Sequence, residues 1–258
     1  MVQRILVKLS GESLATADSV LDSWPAFKGL EKHPSFGAMP SLGWTNSRMV
    51  LKTALDIKAA HSAGLQIALV VGGGNLCRGR AFHPSLRTDF DKIGMLATVM
   101  NGLLLQAALK VVDVPVLIMS TQSMPAVCEL YTADRARKAL SEGFVAICAG
   151  GSGLPFFSTD TAAVIRACEL ECDRLLKATK VNGAYSADPV QHPEAVFYPE
   201  LSYDEFLKRK LTIMDSTAVS IAQSQNLVID IANTYEADLI VRSAREELTR
   251  TRLSPRPR

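Results

Sequence analysis

Short apolar runs that end in glycine are the feature that most constrains this chain. Runs over residues 5–9, 65–71 and 144–148 are each followed, within two residues, by a glycine-bearing segment. A continuous apolar run bounded by turn residues is typical of a parallel strand covered on both faces. Stretches with helical spacing separate the runs. The sequence therefore predicts an α/β fold, a largely parallel sheet with helices on both faces.

The helical stretches and the remaining apolar runs complete this prediction. Predicted helices span residues 49–63, 91–110, 132–140, 159–170, 203–208 and 216–223, and further strands span 114–119, 174–178 and 227–231. A length of 258 residues allows one α/β domain. We expect a single domain over residues 1–253, followed by a frayed, arginine-rich tail at 254–258.

Residues 16–47 break the alternation. They contain both tryptophans of the chain, Trp24 and Trp44, and show no sustained period. The segment is too aromatic for a typical disordered linker. We therefore expect an ordered insertion or lid.

Composition excludes several classes of protein. The net charge of +2 does not suggest a dedicated nucleic-acid binder. The five cysteines include no Cys-x-x-Cys pair, so reduced, packed thiols are favoured over a metal site. The N-terminus enters an apolar strand at once without a signal-peptide pattern, and no apolar run reaches 18 residues. We expect a soluble protein without a membrane partner.

The glycine-bearing strand ends are where chemistry is expected. The carboxyl ends of parallel strands share one sheet edge, where ligands of open α/β sheets bind. Glycine lets several backbone N–H groups face one phosphate. One cluster alone is most simply a tight turn, but the three clusters, Gly11, 72–74 and 150–153, favour a phosphate site. Neither the P-loop pattern nor Gly-x-Gly-x-x-Gly is present.

Charged residues near these strand ends suit phosphoryl transfer, which needs mainly positioned donors and cations. Lys8 and Arg78 would supply the cations. Simpler roles remain open: Lys8 as a solvated strand-end residue, and Asp91 as a carboxylate favoured by a helix N-terminus. Asp160 and Asp215 are candidates for organising Mg²⁺ or the cationic groups, or simply N-caps of the helices that follow.

Six segments in order along the chain resemble bacterial UMP kinases of the amino acid kinase superfamily. They are residues 4–12 (RILVKLSGE), 72–79 (GGGNLCRG), 94–102 (GMLATVMNG), 155–160 (PFFSTD), 177–181 (KATKV) and 186–189 (SADP). The resemblance covers nearly the whole chain outside residues 16–47 and the last residues. It implies a three-layer α/β/α fold, ATP with Mg²⁺ as donor, UMP as acceptor, UDP as product, a cytoplasmic location and a homohexamer.

The resemblance also implies roles for individual residues. The phosphates of ATP and the transferring group would contact Lys8, Leu9, Ser10, Gly11, Gly74 and Arg78, and its nucleoside would lie near Thr179, Tyr185 and Asp188. UMP would contact Gly73, Asp91, Ser152, Gly153, Leu154, Pro155, Phe156, Phe157, Ser158 and Thr159, with Asp91 accepting hydrogen bonds from the ribose. The catalytic candidates are Lys8, Arg78, Asp160 and Asp215, and no residue is assigned as a metal ligand.

The chain departs from the family pattern at three places. Leu154 stands where the family usually has Asn, with Ser152 in place of Thr, and Asn182 stands where Asp is usual. Residues 16–47 replace a short loop that in the family helps form an allosteric GTP site. Two alternatives follow: a superfamily kinase acting on a carboxylate, carbamate or phosphate acceptor, and a nucleotide-binding regulator or storage protein without turnover. Asp91 and the Pro-Phe-Phe segment argue against the first.

Overall fold

The computed structural model of the chain describes residues 3–40, 42–78 and 83–255. Its strands are β1 (Arg4–Leu9), β2 (Gln66–Val71), β3 (Val116–Ser120), β4 (Glu129–Leu130), β5 (Val145–Ala149), β6 (Arg174–Thr179), β7 (Ala184–Tyr185), β8 (Phe197–Tyr198), β9 (Glu200–Ser202), β10 (Ile229–Asn233) and β11 (Arg250–Ser254). Its helices are α1 (Asp18–Leu21), α2 (Ser47–Ser62), α3 (Arg87–Val111), α4 (Ala133–Ser141), α5 (Thr159–Glu169), α6 (Tyr203–Lys208), α7 (Ser216–Gln225) and α8 (Leu239–Ala244).

The main sheet has the strand order β4-β3-β5-β2-β1-β6-β10-β11-β9. Pairing is parallel from β4 to β10, whereas β11 runs antiparallel to β10. The prediction of an α/β fold with a mostly parallel sheet is confirmed. The carboxyl ends of β1, β2, β5 and β6 therefore meet at one edge.

Alternate residues of the strands enter two separate hydrophobic cores. Along β1, Ile5 and Val7 pack with α2 and α3 on one face, and Leu6 packs with α5 and α7 on the other. Because side chains alternate across a strand, a strand buried on both faces is apolar at most of its positions. This explains why the continuous apolar runs of the sequence became the central strands.

The long helix α3 begins four residues before the predicted start at residue 91. A 3₁₀ turn, Pro84–Leu86, leads into it, and Arg87 pairs with Asp91 one turn later, with 2.8 Å between Nε and Oδ2. Such i,i+4 pairs support the end of a helix. By length and composition the stretch Pro84–Val111 could cross a membrane, but half of its most apolar window is buried. Leu105 and Leu109 of this helix lie in the hydrophobic core.

Of residues 16–47, the structure describes 16–40 and 42–47, which contain α1 and several 3₁₀ turns that pack against α2. Leu21 and Phe27 form a small hydrophobic cluster with Met49 and Tyr235. Trp24 lies against the Tyr235 ring, with 5.4 Å between ring centroids. The segment is thus held to the rest of the protein by a small hydrophobic cluster that both contribute to.

The end of the chain adds a strand that the sequence did not predict. In β11, Arg250 and Arg252 point toward Asp230, which is fully buried and also contacts Arg174. Ser254 closes this strand and lies opposite Ser202. Of the expected tail, residues 256–258 lie outside the described residues.

The five cysteines are free thiols, as the sequence predicted. Burial raises the pKa of Cys148 to about 12, which keeps this thiol protonated at neutral pH.

Candidate active site

The glycine loops after β1 and β2 touch each other. The N–H of Gly72 donates to the carbonyl of Leu9 at 2.9 Å. A Cβ at Gly11 would lie 2.5 Å from the Gly72 oxygen, and one at Gly73 would lie 2.6 Å from the Gly94 oxygen. No larger residue fits at Gly11 or Gly73 without moving backbone.

The loop after β2 presents backbone N–H groups to solvent. The N–H groups of Leu76 and Cys77 both donate to the carbonyl of Gly73, which closes a tight turn. Among the described residues, the N–H groups of Gly74 and Asn75 have no acceptor. Successive unpaired N–H groups in a turn form an anion-binding concavity. The loop is therefore suited to hold a phosphate.

Two buried lysines flank one carboxylate at the same sheet edge. Lys8 in β1 and Lys177 in β6 lie opposite each other in the parallel register. Asp160, in the first turn of α5, places Oδ1 at 2.9 Å from the Lys8 Nζ and Oδ2 at 2.5 Å from the Lys177 Nζ. The three side chains carry a net charge of +1. The sheet edge therefore holds a fixed positive charge beside the glycine loops.

Burial and pairing perturb this charged triad in opposite directions. Burial alone would raise the pKa of Asp160, but the Lys8 and Lys177 ammonium groups hold that pKa well below its usual range. Burial lowers the pKa of Lys177 to about 8, against the opposing attraction of Asp160. Perturbed groups of this kind, set in a cleft, are typical of functional sites.

Asp215 joins two helix N-termini beside the triad. Its side chain caps α7 by accepting the N–H of Thr217 at 3.1 Å. Its Oδ2 also accepts the hydroxyls of Ser158 at 2.7 Å and Thr161 at 3.0 Å. Ser158, and not Asp160, caps α5. The N-cap role considered for Asp215 is confirmed, whereas for Asp160 it was wrong because the carboxylate turns inward to the lysines.

Arg78 follows the second glycine loop and is largely exposed. Its guanidinium forms an ion pair with Glu12, which follows the first loop. The Arg78 side chain keeps 61% of its surface accessible. An exposed ion pair is weak and screened, so Arg78 is free to take an anionic partner from solvent.

Asp91 connects α3 to the loop after β5. Arg87 donates through Nε to both Asp91 oxygens at 2.8 Å, and the backbone N–H of Phe156 donates to Oδ2 at 2.8 Å. Asp91 lies in the second turn of α3, so the helix N-terminal role considered for it was wrong. Phe156 is held at φ +70°, a rare conformation for a bulky residue that is found mainly where structure or function imposes it.

In the loop after β5, the Ser152 hydroxyl is engaged by hydrogen bonds within the loop itself. The Ser152 hydroxyl accepts the Leu154 N–H at 3.1 Å and donates to the Leu154 carbonyl at 3.0 Å. The side chains of Leu154, Phe156 and Phe157 are exposed. The loop therefore exposes apolar side chains.

Three cavities lie in a row along the sheet edge. The first, about 320 Å³, is bounded by the glycine loops, Asp91 and Leu154. It shares Ser158 and Asp160 with a second cavity of about 490 Å³. The second shares residues 210–212 with a third cavity, of about 450 Å³, beyond the end of β6. Asp160, the carboxylate of the triad, thus lies between two spaces that could each hold a small molecule, and Lys8 lines the first of them.

Comparison with known proteins places the chain in a family. The model of the amino acid kinase family matches residues 3–233. The chain belongs to the amino acid kinase family. It is 39% identical over 250 residues to a protein named uridylate kinase from Campylobacter hominis, covering 96% of each chain. It is 41% identical over 233 residues to one of that name from Pseudomonas aeruginosa, covering 90% of this chain and 86% of that one.

Solved structures with the same fold carry a related name. The UMP kinase from Ureaplasma parvum superposes with a TM-score of 0.83 at 28% identity, covering 98% of this chain and 99% of that chain. The UMP kinase from Bacillus anthracis gives a TM-score of 0.84 at 28% identity, covering 99% and 97%. This member of the amino acid kinase family thus shares its fold with both proteins over their whole length.

The structure brings most of the predicted site residues of this amino acid kinase family member together. The first cavity is lined by Lys8, Ser10, Gly11, Gly73, Gly74, Arg78, Asp91, Leu154, Phe157, Ser158, Thr159 and Asp160. Thr179, Tyr185 and Asp188 line the third cavity, and Asp215 lines the second.

Five predicted residues do not line these cavities: Leu9, Ser152, Gly153, Pro155 and Phe156. The Leu9 side chain packs in the core and its carbonyl is engaged by Gly72, so it offers no contact through its side chain.

Sequence reasoning missed three charged residues of the site. Lys177 was given a place in a strand and in one of the six resemblance segments but no role, although a lysine inside a buried apolar run is a signal for an internal ion pair. Glu12 and Arg87 were not assigned either. For Arg87 the sequence held a signal, because an opposite charge, Asp91, follows at i+4. For Glu12 it held no clear signal, because its partner Arg78 is far away in sequence. Among the described residues, no group of three or more His, Cys, Asp or Glu side chains could hold a metal ion.

Proposed function

We propose that this protein is a UMP kinase, which transfers the γ-phosphoryl group of ATP to UMP and releases UDP in pyrimidine nucleotide biosynthesis. The observation that carries the proposal is the Lys8–Asp160–Lys177 triad, whose carboxylate lines two neighbouring cavities and whose Lys8 lines the first cavity together with two glycine loops. The names of the relatives, uridylate kinase and UMP kinase, support the acceptor.

ATP fits the second and third cavities as donor. Thr179, Tyr185 and Asp188 line the third cavity, where the nucleoside would lie. The phosphates would extend through the second cavity to the triad and the glycine loops. Gly11 and Gly74 suit that end because a side chain at Gly11 would meet backbone, and Gly74 exposes its N–H.

Mg²⁺ would enter with the phosphates of ATP and help neutralise their charge. Mg²⁺ is usually held by substrate phosphates with one or two carboxylates, and not by a cage built from protein alone. The site fits this pattern. Asp160 and Asp215 both line the second cavity, but both oxygens of Asp160 already face lysines, so Asp215 is the carboxylate that would be more readily used by Mg²⁺.

UMP fits the first cavity as acceptor. Its phosphate would lie against Gly73 and Arg78, and its ribose near Asp91, which retains acceptor capacity beside the bonds from Arg87 and Phe156. The base would lie toward Leu154 and Phe157. The loop of residues 152–159 closes this end.

The residues of this chain would act through charge and position. Phosphoryl transfer spreads charge over the oxygens of the transferred group and gains most from cations fixed before the reaction. Lys8 is fixed by Asp160, and Lys177 by Asp160 and the Ile213 carbonyl. Arg78 is exposed and free to close over the phosphates. The proposal thus needs no covalent intermediate.

We also propose a cytoplasmic homohexamer. Ile93, Leu96 and Met100 are exposed and lie on one face of α3. An apolar stripe of this kind marks a protein contact. Light scattering after gel filtration should give six times the chain mass. The double substitution Leu96→Glu and Met100→Glu should lower it, while Val196→Glu, at an exposed apolar residue elsewhere, should not.

A coupled assay of ADP release tests the activity. The protein is incubated with ATP and Mg²⁺ and with each nucleoside monophosphate, or with small carboxylates, carbamate or phosphate, in turn. Turnover with UMP alone supports the proposal. Turnover only with a small acid would assign another kinase activity of the family, and ATP binding without turnover on any acceptor would make the chain a nucleotide-binding regulator. Lys8→Met serves as the inactive control.

A further inference from the structure

The carboxamides of Asn75 and Asn101 form a closed pair behind the glycine loop. Asn75 donates from Nδ2 to the Asn101 Oδ1 at 3.2 Å, and Asn101 donates from Nδ2 to the Asn75 Oδ1 at 2.8 Å. Each Nδ2 has a second acceptor. All four amide hydrogens of the pair are therefore engaged, which fixes both side chains.

Through Asn101, this carboxamide pair binds the glycine loop after β2. The Asn101 Nδ2 donates to the carbonyl of Gly72 at 2.8 Å in a buried setting. The N–H of Gly72 is fixed as well, because it donates to the carbonyl of Leu9. Gly72 is the residue that touches Gly11 of the other loop. Asn101 thus fixes the Gly72 carbonyl, the group of the second glycine loop that lies next to Gly11 of the first.

Through Asn75, the carboxamide pair binds the segment of residues 16–47. The Asn75 Nδ2 donates to the backbone carbonyl of Trp44 at 3.2 Å. The end of that segment is held in turn, since Asn46 donates its N–H to the Leu14 carbonyl at 2.7 Å and caps α2. A continuous series of hydrogen bonds therefore joins the segment to the phosphate-binding loop.

We infer that Asn75 and Asn101 are positioning residues for the phosphate-binding loop, and that residues 16–47 take part in this positioning through the Trp44 carbonyl. The segment then does more than cover α2: its last turn is one of the supports that hold the N–H groups of Gly74 and Asn75 toward the phosphates. The kinetic part of this inference rests on the proposed kinase activity.

Loss of the support should affect the reaction more than the fold. Asn75→Leu keeps the number and branching of the side-chain heavy atoms and leaves the backbone N–H in place, but removes the hydrogen bonds that join Asn101 to Trp44. A displacement of about 1 Å near reacting groups can lower a rate on the order of 100-fold. We expect kcat/KM to fall about 10- to 100-fold. Gln223→Leu is the matched control, because it removes an amide hydrogen bond, to Asp204, on α7 away from the cavities.

The tryptophans provide a readout that does not need turnover. Trp24 and Trp44 are the two tryptophans of the chain. In a Trp24→Phe background, Trp44 alone reports on the segment, and Trp24→Phe should itself leave activity unchanged. Binding of ADP should change the emission of Trp44, and Asn75→Leu should abolish that change while calorimetry still detects ADP.

The results separate the inference from the activity on which it rests. Near-normal kcat/KM in Asn75→Leu, or an emission response to ADP that survives the substitution, would overturn the positioning role. If Asn75→Leu does not fold, Asn75→Ser is judged by the same two criteria. If the parent protein turns over no acceptor, the proposed activity fails, and the ADP response of Trp44 still decides the inference.

Discussion

Removal of the carboxylate between the two lysines should destabilise the protein in a pH-dependent way. In Asp160→Asn, the Lys8 and Lys177 ammonium groups stay buried on neighbouring strands without a counter-charge. Loss of one partner from a buried ion pair costs about 3–5 kcal/mol. We expect a loss of that size in the free energy of unfolding at pH 6.

The loss should shrink as the pH rises. Burial already lowers the pKa of Lys177 to about 8, and Asp160 opposes that effect, so the pKa falls further in the variant. The folded variant then releases the Lys177 proton at a pH where the unfolded chain still binds it. Stability therefore rises with pH, by at most about 1.4 kcal/mol for each pH unit. Between pH 6 and pH 8 the variant should regain about 1–3 kcal/mol relative to the wild type.

Urea unfolding at pH 6, 7 and 8 measures this difference. Thr132→Ala is the control, because the uncharged Thr132 side chain caps α4 by accepting the N–H of Arg135 at 3.2 Å. Loss of a cap costs about 0.5–2 kcal/mol, and this cost should not change over the same range. An Asp160→Asn deficit that is equal at all three pH values would refute the reasoning, since the lysines would then not be the source of the strain.

Three further predictions concern catalysis. Arg78→Ala should lower kcat at least 100-fold, the scale of a lost transition-state donor, with an unchanged unfolding midpoint; near-normal turnover would remove Arg78 from the mechanism. Leu154→Asn should lower the KM for UMP about 2- to 10-fold through one added hydrogen bond of about 0.5–1.5 kcal/mol, and an unchanged KM would show that residue 154 does not contact the base. The kcat/KM of the wild type should fall above about pH 8 as the free enzyme loses the Lys177 proton, and in Lys177→Arg this fall should begin at a higher pH. A kcat/KM that stays constant up to pH 9.5 in the wild type would contradict this.

Much of the fold could be predicted because most central strands are buried on both faces. Such strands are mostly apolar, so β1, β2 and β6 stood out in the sequence, although β1 and β6 each carry a buried lysine. Strand β11 did not, because its arginines pair with Asp230 on the neighbouring strand. A charge that is neutralised by a distant part of the chain looks like a solvated charge when only the sequence is read.

The same limit applied to the active site. Glycine clusters at strand ends indicated the phosphate loops, because glycine is needed locally wherever backbones approach closely. Lys177 gains its role from the register that places it opposite Lys8, and from a helix that brings Asp160 between the two. Pairwise contacts of this kind are set by tertiary packing, which no local pattern encodes.

The net charge of the triad affects both the stability of the free protein and its binding of a nucleotide. A buried pair of one lysine and one carboxylate would be neutral and would do little for a phosphate. The second lysine leaves one positive charge that the protein alone does not neutralise, and burial of that charge lowers the pKa of Lys177 to about 8. The phosphates of a bound nucleotide would supply the missing negative charge. The feature that strains the free protein is therefore the one that would favour the nucleotide complex, so nucleotide binding should raise the pKa of Lys177 and stabilise the fold most where that lysine is charged, below about pH 8.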